Sequence, residues 1–75
     1  MDINGFIVQF GACLHHTPIA EVNSKTQFKK LEEWSSIFAL IVIAMVDTEY
    51  GKVLTAADIY KAETIEDLFG VIQSK

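Results

Sequence analysis

The chain has little cysteine and little positive charge, and each shortage excludes a class of protein. Cys13 is the only cysteine among 75 residues, which excludes an internal disulfide and argues against a metal site built from thiolates. All six cations are lysines and the net charge is −4, so the basic surface of a nucleic-acid-binding protein is missing. We therefore predict a cytoplasmic protein. The mild acidity is first of all typical of a soluble surface, and any charge-steered partner should be basic.

Long hydrophobic runs are also lacking. The longest, residues 37–46, has ten residues, about half of what spans a bilayer as a helix. No basic residue precedes the first apolar stretch, so the start is not typical of a secretory signal, and we predict that the mature protein begins at Met1. The composition is 51% hydrophobic and 21% charged. It suffices for one core, and we predict a single domain over residues 1–75.

Hydrophobic spacing predicts helix one near the start of the chain. Its apolar face consists of Ile3, Phe6, Ile7, Phe10 and Leu14. Asp2 or Asn4 can cap the first turn, and the helix should end in residues 15–18. From Thr17 to Ser35 no period is sustained, which predicts a long ordered loop pinned to the core by isolated apolar residues. These are Ile19, Val22, Phe28 and Leu31.

Helix two is expected to begin at Ser35-Ser36, with Ser36 as its capping residue, and to end at Gly51 in the left-handed conformation. Its predicted core face consists of Ala39, Ile43, Val46 and Tyr50. The opposite face is also apolar, where a surface helix normally carries charge. That face consists of Ile37, Phe38, Ile41, Ala44 and Met45. We expect one of three arrangements: a partner covers this face, a second copy of the chain covers it, or a slight rotation of the helix buries it.

Two capping signals predict the remaining helices. Thr55-Ala56-Ala57-Asp58 resembles a capping box that opens a short helix burying Ile59 and Ala62. Thr64-Ile65-Glu66-Asp67 repeats the signal and opens an amphipathic last helix that ends near Ser74. The predicted fold is all-α, a small four-helix bundle with three main helices, one short helix and a long loop between helices one and two.

Cys13, His15 and His16 lie close together and are candidates for a metal site or a thiol nucleophile. On a helix the two histidines would point about 100° apart, and no carboxylate pair is placed to complete a metal shell. A Ser36–His16 pair has neither nucleophile-elbow glycines nor an evident orienting acid. We interpret these residues as a core cysteine and two surface histidines, and we predict that the chain is not an enzyme.

Four different segments stand at definite distances from one another along the chain. They are the segment 31–37 (LEEWSSI), the helix end Glu49-Tyr50-Gly51, the pair Val53-Leu54 and the segment 64–68. With this spacing the chain resembles an acyl carrier protein over essentially its whole length. In that family an Asp-Ser-Leu motif opens helix two, and further landmarks follow without gaps. The matching residues are Ser36, Ile37, Tyr50, Leu54 and Thr64-Ile65.

The resemblance implies that Ser36 accepts phosphopantetheine from coenzyme A and that the thiol of this arm carries acyl groups as thioesters. The implied partners are a phosphopantetheinyl transferase (holo carrier synthase) and the acyl-transferring and acyl-modifying enzymes of a fatty acid, polyketide or related lipid-like pathway. A helix N-terminus suits the phosphodiester because backbone N–H groups and the helix dipole favour an anion. Peptidyl carriers usually have glycine and histidine before the serine, where this chain has Glu33-Trp34-Ser35, so an acyl cargo is favoured.

Two departures from the family concern the modified serine and the docking face of helix two. Ser35 stands where the family has an aspartate, and Ser35 is also the alternative attachment residue, although only Ser36 keeps the downstream spacing. The recognition face is strongly acidic in the family, and here only Asp47 keeps a charge. We therefore expect a hydrophobic docking patch. The predicted partner-binding residues are Ile37, Phe38, Ile41, Met45 and Asp47.

Two other hypotheses stand beside the carrier. One is an unmodified helical adaptor that binds a partner through the apolar face of helix two, and the missing aspartate at position 35 is its best support. The other is a small enzyme that uses Cys13 or the histidines, which needs a pocket that 75 residues leave little room to build. The resemblance implies a monomer, and the apolar face leaves a homodimer open.

Overall fold

Four α-helices make up the structure, a computed structural model that describes residues 2–75. The helices are α1 (Ile3–Ala12), α2 (Ser36–Tyr50), α3 (Ala56–Lys61) and α4 (Ile65–Gln73), and short 3-10 turns cover Ile19–Glu21 and Phe28–Lys30. No strand occurs in this range. The predicted all-helical class, with three main helices and one short one, is confirmed. Within residues 2–75 no helix is both long and apolar enough to cross a membrane.

The starts of α1 and α2 are capped by side chains. At α1, Asp2 Oδ1 accepts a hydrogen bond from Gly5 N–H (2.7 Å), as expected. At α2 the cap is Ser35, whose backbone is extended and whose Oγ accepts from Phe38 N–H (3.1 Å). The prediction that Ser36 caps this helix is therefore wrong by one residue. The first helical bond, from Ala39 N–H to the Ser35 carbonyl (2.9 Å), already places Ser36 inside the helix.

Complete capping boxes open α3 and α4, and both predictions are confirmed. At α3, Thr55 Oγ1 accepts from Asp58 N–H (3.1 Å) and Asp58 Oδ2 accepts from Thr55 N–H (3.0 Å). At α4, Thr64 Oγ1 accepts from Asp67 N–H (3.1 Å) and Asp67 Oδ2 accepts from Thr64 N–H (3.2 Å). Each box satisfies two backbone donors that have no partner within the helix.

The core combines apolar side chains from all four helices and from the long loop. Its buried members are Phe6, Phe10, Val22, Phe28, Phe38, Val42, Val46, Leu54, Ile59, Ala62, Ile65, Leu68, Phe69 and Ile72. Aromatic rings dominate the end near the start of α2, where the centroid of Phe10 lies 5.7 Å from that of Phe28 and 6.0 Å from that of Phe38. Such tilted and edge-on pairs add to the stabilisation from burial.

The segment between α1 and α2 is held in place at several points. Val22 and Phe28 are buried and Leu31 is partly buried, as predicted, whereas Ile19 is mostly exposed. The segment also bonds to the start of α4, since Ile65 N–H donates to the Thr26 carbonyl (3.1 Å). The prediction of a long ordered connection pinned by apolar residues therefore holds for three of its four anchors.

The rotation of α2 differs from the prediction. Phe38, Val42 and Val46 form its buried stripe, and Met45 is partly buried against the core. The assignment of Phe38 and Met45 to the outer face is therefore wrong. The helix is apolar almost all round, so hydrophobic spacing alone could not fix which side turns inward. The packing of Phe38 against Phe10 and the neighbouring rings decides it.

Candidate functional site

Ser36 is the first residue of α2 and is exposed to solvent. Because Ser35 supplies the capping oxygen, the Ser36 hydroxyl is not committed to capping. The first turn of α2 contains no acidic residue, so nothing in that turn opposes an anion at the positive end of the helix dipole. The backbone N–H groups of a first helical turn point along the axis toward such an anion. The position thus suits a phosphorylated side chain.

The segment before Ser36 is packed on one side by Trp34. The centroid of the Trp34 ring lies 5.1 Å from that of Phe28 and 5.3 Å from that of Phe38, in edge-on and tilted geometry. Phe28 belongs to the connection and Phe38 to α2, and both are buried. Trp34 therefore links the approach to the site with the helix that follows it.

On its other side the segment is fastened by the Glu33 carboxylate. Oε1 accepts from His15 N–H (2.8 Å), and Oε2 accepts from His16 N–H (2.9 Å) and from the Thr17 hydroxyl (2.9 Å). These bonds, led by the one from His15 N–H, hold the pKa of Glu33 below its ordinary value. We call this arrangement the Glu33 clasp. It joins the turn after α1 to the residues just before Ser36.

An apolar groove runs along α2 from the side of Ser36. It has a volume of about 320 Å³ and is lined by Leu40, Ile43, Ala44, Asp47, Val53 and Leu54. Leu40, Ile43 and Asp47 follow Ser36 at i+4, i+7 and i+11, so all four lie on one stripe of the helix. Leu40 is about 6 Å from Ser36 along the helix axis. A group attached to Ser36 can therefore reach the groove without crossing the helix.

The predicted partner-binding residues do not all lie on the surface. Ile37 and Ile41 are exposed, as predicted, and Asp47 is exposed beside the groove. Phe38 is in the core and Met45 is partly buried, so neither belongs to an outer patch. The residues that take their place are Leu40 and Val53, which are 65% and 72% exposed. Leu40 could have been found from its i+4 relation to Ser36. Val53 was noted only as a landmark of the resemblance, and nothing in the sequence indicates that it lies exposed beside α2.

Cys13, His15 and His16 were candidates for a metal site or a thiol nucleophile, and the structure gives their environment. Cys13 is half-buried, its thiol donates to the Gln9 carbonyl (3.5 Å), and burial raises the pKa of this thiol. His15 and His16 are exposed, as predicted, and contribute backbone N–H groups to the Glu33 clasp. Among residues 2–75 no group of three ligating side chains is placed to hold a metal ion.

Comparisons with protein-family models, curated proteins and solved structures gave no match for this chain. The resemblance to acyl carrier proteins therefore rests on the motif spacing given above. What the structure adds is the geometry around Ser36: an exposed hydroxyl, a separate cap at Ser35 and an apolar groove on the same side of α2.

Proposed function

We propose that this chain is an acyl carrier protein that holds acyl groups as thioesters on a phosphopantetheine arm attached to Ser36. The observation that carries the proposal is the position of Ser36, an exposed serine at the first residue of α2 whose capping role is taken by Ser35. In such a protein the reactive sulfur belongs to the arm, and the chain contributes presentation and delivery instead of bond making.

Attachment of the arm is a phosphoryl transfer from coenzyme A. The Ser36 oxygen forms a new bond to phosphorus, the pyrophosphate bond of coenzyme A breaks, and the adenosine nucleotide leaves. The hydroxyl proton passes to a base of the transferase. The product is a phosphodiester at the N-terminus of α2, where the helix dipole stabilises its negative charge.

The groove beside Ser36 supports an acyl cargo. Five of its six lining residues are apolar, and they are Leu40, Ile43, Ala44, Val53 and Leu54. An acyl chain delivered by the arm gains from leaving water for such a surface. We propose that the partners are a phosphopantetheinyl transferase and the separate acyl-handling enzymes of a cytoplasmic fatty acid, polyketide or related lipid-like pathway. Ile37, Ile41 and Asp47 are the proposed docking residues.

The test is the intact mass of the chain after incubation with coenzyme A and a broad-specificity phosphopantetheinyl transferase. The wild type should gain the mass of one arm, and peptide mapping across Trp34 to Met45 should place it on Ser36. Ser36→Ala should gain nothing. Ser35→Asp is the matched control, because aspartate also caps helices well and restores the residue of the family. It should be modified at least as efficiently as the wild type, whereas an unmodified wild type would refute the proposal.

A second candidate function is an unmodified adaptor that binds a partner through the outer face of α2. Specific support comes from the exposure of Ile37 (72%) and Leu40 (65%), since contiguous apolar surface commonly marks an interaction site. An unmodified wild type that still binds a partner, and loses it on Leu40→Glu, would favour the adaptor. Ile19→Glu is the control, because Ile19 is about as exposed but lies outside α2.

A further inference from the structure

The residues that lead into Ser36 have little backbone support of their own. Between the 3-10 turn Phe28–Lys30 and the start of α2, the backbone is joined within itself by a turn from Trp34 N–H to the Leu31 carbonyl (3.0 Å). Ser35 is fully extended, with φ −157° and ψ 171°. A short non-helical segment of this kind samples many conformations unless side chains hold it. The position of Ser36 relative to the rest of the surface therefore depends on side-chain anchors.

The Glu33 clasp is the polar one of two such anchors, and Trp34 is the apolar one. Glu33 receives bonds from donors that are 16 to 18 residues away in sequence. Both carboxylate oxygens are used as acceptors. A carboxamide has one acceptor oxygen and a nitrogen that can only donate, so glutamine at position 33 cannot accept all three bonds. The clasp therefore requires the carboxylate and not merely a side chain of this length.

We propose that Glu33 is a positioning residue for Ser36, and that its carboxylate keeps the segment 33–36 and the turn 15–17 docked together as one surface for the transferase. This inference rests on the proposed carrier function. Glu33 lies three residues before Ser36, and its partners lie three to five residues after the end of α1. The clasp thereby fixes the approach to α2 against a second element of the fold.

Loss of the clasp should reduce the fraction of molecules in which this surface is preformed. The contacts of Trp34 with Phe28 and Phe38 do not involve Glu33, so the core and α2 should remain in place. The apparent affinity of a partner falls in proportion to the fraction of the competent conformation. Once bound, the transferase holds Ser36 itself, so the chemical step is unchanged. The expected signature is a higher KM for the carrier with an unchanged kcat.

The experiment measures steady-state kinetics of the transferase, with the intact folded chain as substrate. Glu33→Gln should raise KM about fivefold, because a carboxamide nitrogen in place of Oε2 accepts neither from His16 N–H nor from the Thr17 hydroxyl. Glu32→Gln removes the same charge from the neighbouring exposed residue and should match the wild type. Circular dichroism establishes that each variant is folded. Amide exchange at His15 and His16, followed by NMR, should quicken in Glu33→Gln and not in Glu32→Gln.

Thr17→Val provides a second route, because it removes one donor to Glu33 while keeping the shape of the side chain. It should raise KM about twofold. If Glu33→Gln fails to fold, Thr17→Val replaces it as the test variant. In the double variant the increase should be that of Glu33→Gln alone, since the two residues act through one set of bonds.

Three results would overturn the inference, and they are distinguishable. A wild type that gains no arm removes the carrier function and the positioning role with it. A modified wild type with equal KM values for Glu33→Gln and Glu32→Gln removes the positioning role alone. A Glu33→Gln variant whose kcat falls at unchanged KM would show that Glu33 acts in the chemical step, which also contradicts positioning.

Discussion

On the inner face of α2, Phe38, Val42 and Val46 are at most 5% exposed, whereas Ile37 and Leu40 on the outer face are 72% and 65% exposed. Both faces are made of the same kinds of residue. Hydrophobicity therefore explains why this helix is attracted to the core but not which side of it enters. The side that enters is the one whose rings find partners, and the other side remains available to a ligand or a protein.

The two serines at the start of α2 repeat this contrast on a smaller scale. Ser35 is used by the fold, because its Oγ accepts from Phe38 N–H, while Ser36 next to it is exposed and belongs to the helix. Neighbouring residues of one type are thus divided between structure and proposed function. The predictions below test whether this division holds.

The largest effect is expected from Phe38→Ala. Removing a fully packed ring should lower the free energy of unfolding by about 3–5 kcal/mol, measured by urea denaturation followed by circular dichroism. The matched change on the outer face, Ile37→Ala, should alter it by no more than about 0.5 kcal/mol. Equal losses in the two variants would mean that the outer face is packed after all.

A smaller effect is expected at the serine pair. Ser35→Ala removes the cap of α2 and should cost about 1 kcal/mol of stability, again measured by urea denaturation. Ser36→Ala should stay within about 0.5 kcal/mol of the wild type, because its hydroxyl caps nothing. A larger loss in Ser36→Ala than in Ser35→Ala would reverse the assignment of the two residues.

The smallest expected effect is on local stability at low pH. It compares the serine cap of α2 with the aspartate capping boxes of α3 and α4. The Lys75 side chain and the Thr55 N–H lower the pKa of Asp58 from 3.8 to about 2, and the Thr64 N–H lowers that of Asp67. A lowered folded-state pKa contributes stability that is complete above the unfolded-state value. That contribution is lost as the pH falls from about 4 toward 2.

We therefore expect residue-specific NMR exchange to show α3, α4 and the Glu33 clasp loosening before the first turn of α2 as the pH is lowered from 5 to 2, because Glu33 also has a lowered pKa whereas the Ser35 cap does not titrate. Asp58→Asn should flatten the response at α3, because its amide does not titrate in this range. If the first turn of α2 loosened as early as α3, the contrast between the two kinds of cap would be wrong.

The predictable parts of the fold are those in which local sequence features, such as capping residues or an apolar face flanked by polar residues, specify the structure. The start of α1 and the openings of α3 and α4 have capping residues at fixed offsets, and their apolar faces are flanked by polar ones. Gly51 was expected in the left-handed conformation and has φ 63°. In each case a local feature decides the structure, so the sequence suffices.

The parts that were missed depend on contacts between distant residues. The rotation of α2 could not be read from a helix with apolar residues on every side. The Glu33 clasp joins residues 16 to 18 positions apart, and hydrogen bonds over such separations leave no pattern in the sequence. At the candidate site, Ser36 was singled out by the spacing of the landmarks that resemble an acyl carrier protein, whereas Val53 joins the groove only through folding.

Trp34 is the only tryptophan in the chain and lies two residues before Ser36. Its ring is partly buried between Phe28 and Phe38, so its fluorescence depends on whether that packing is intact. The site thus contains its own optical reporter. A shift in tryptophan emission would report the loss of this packing on unfolding without any added label.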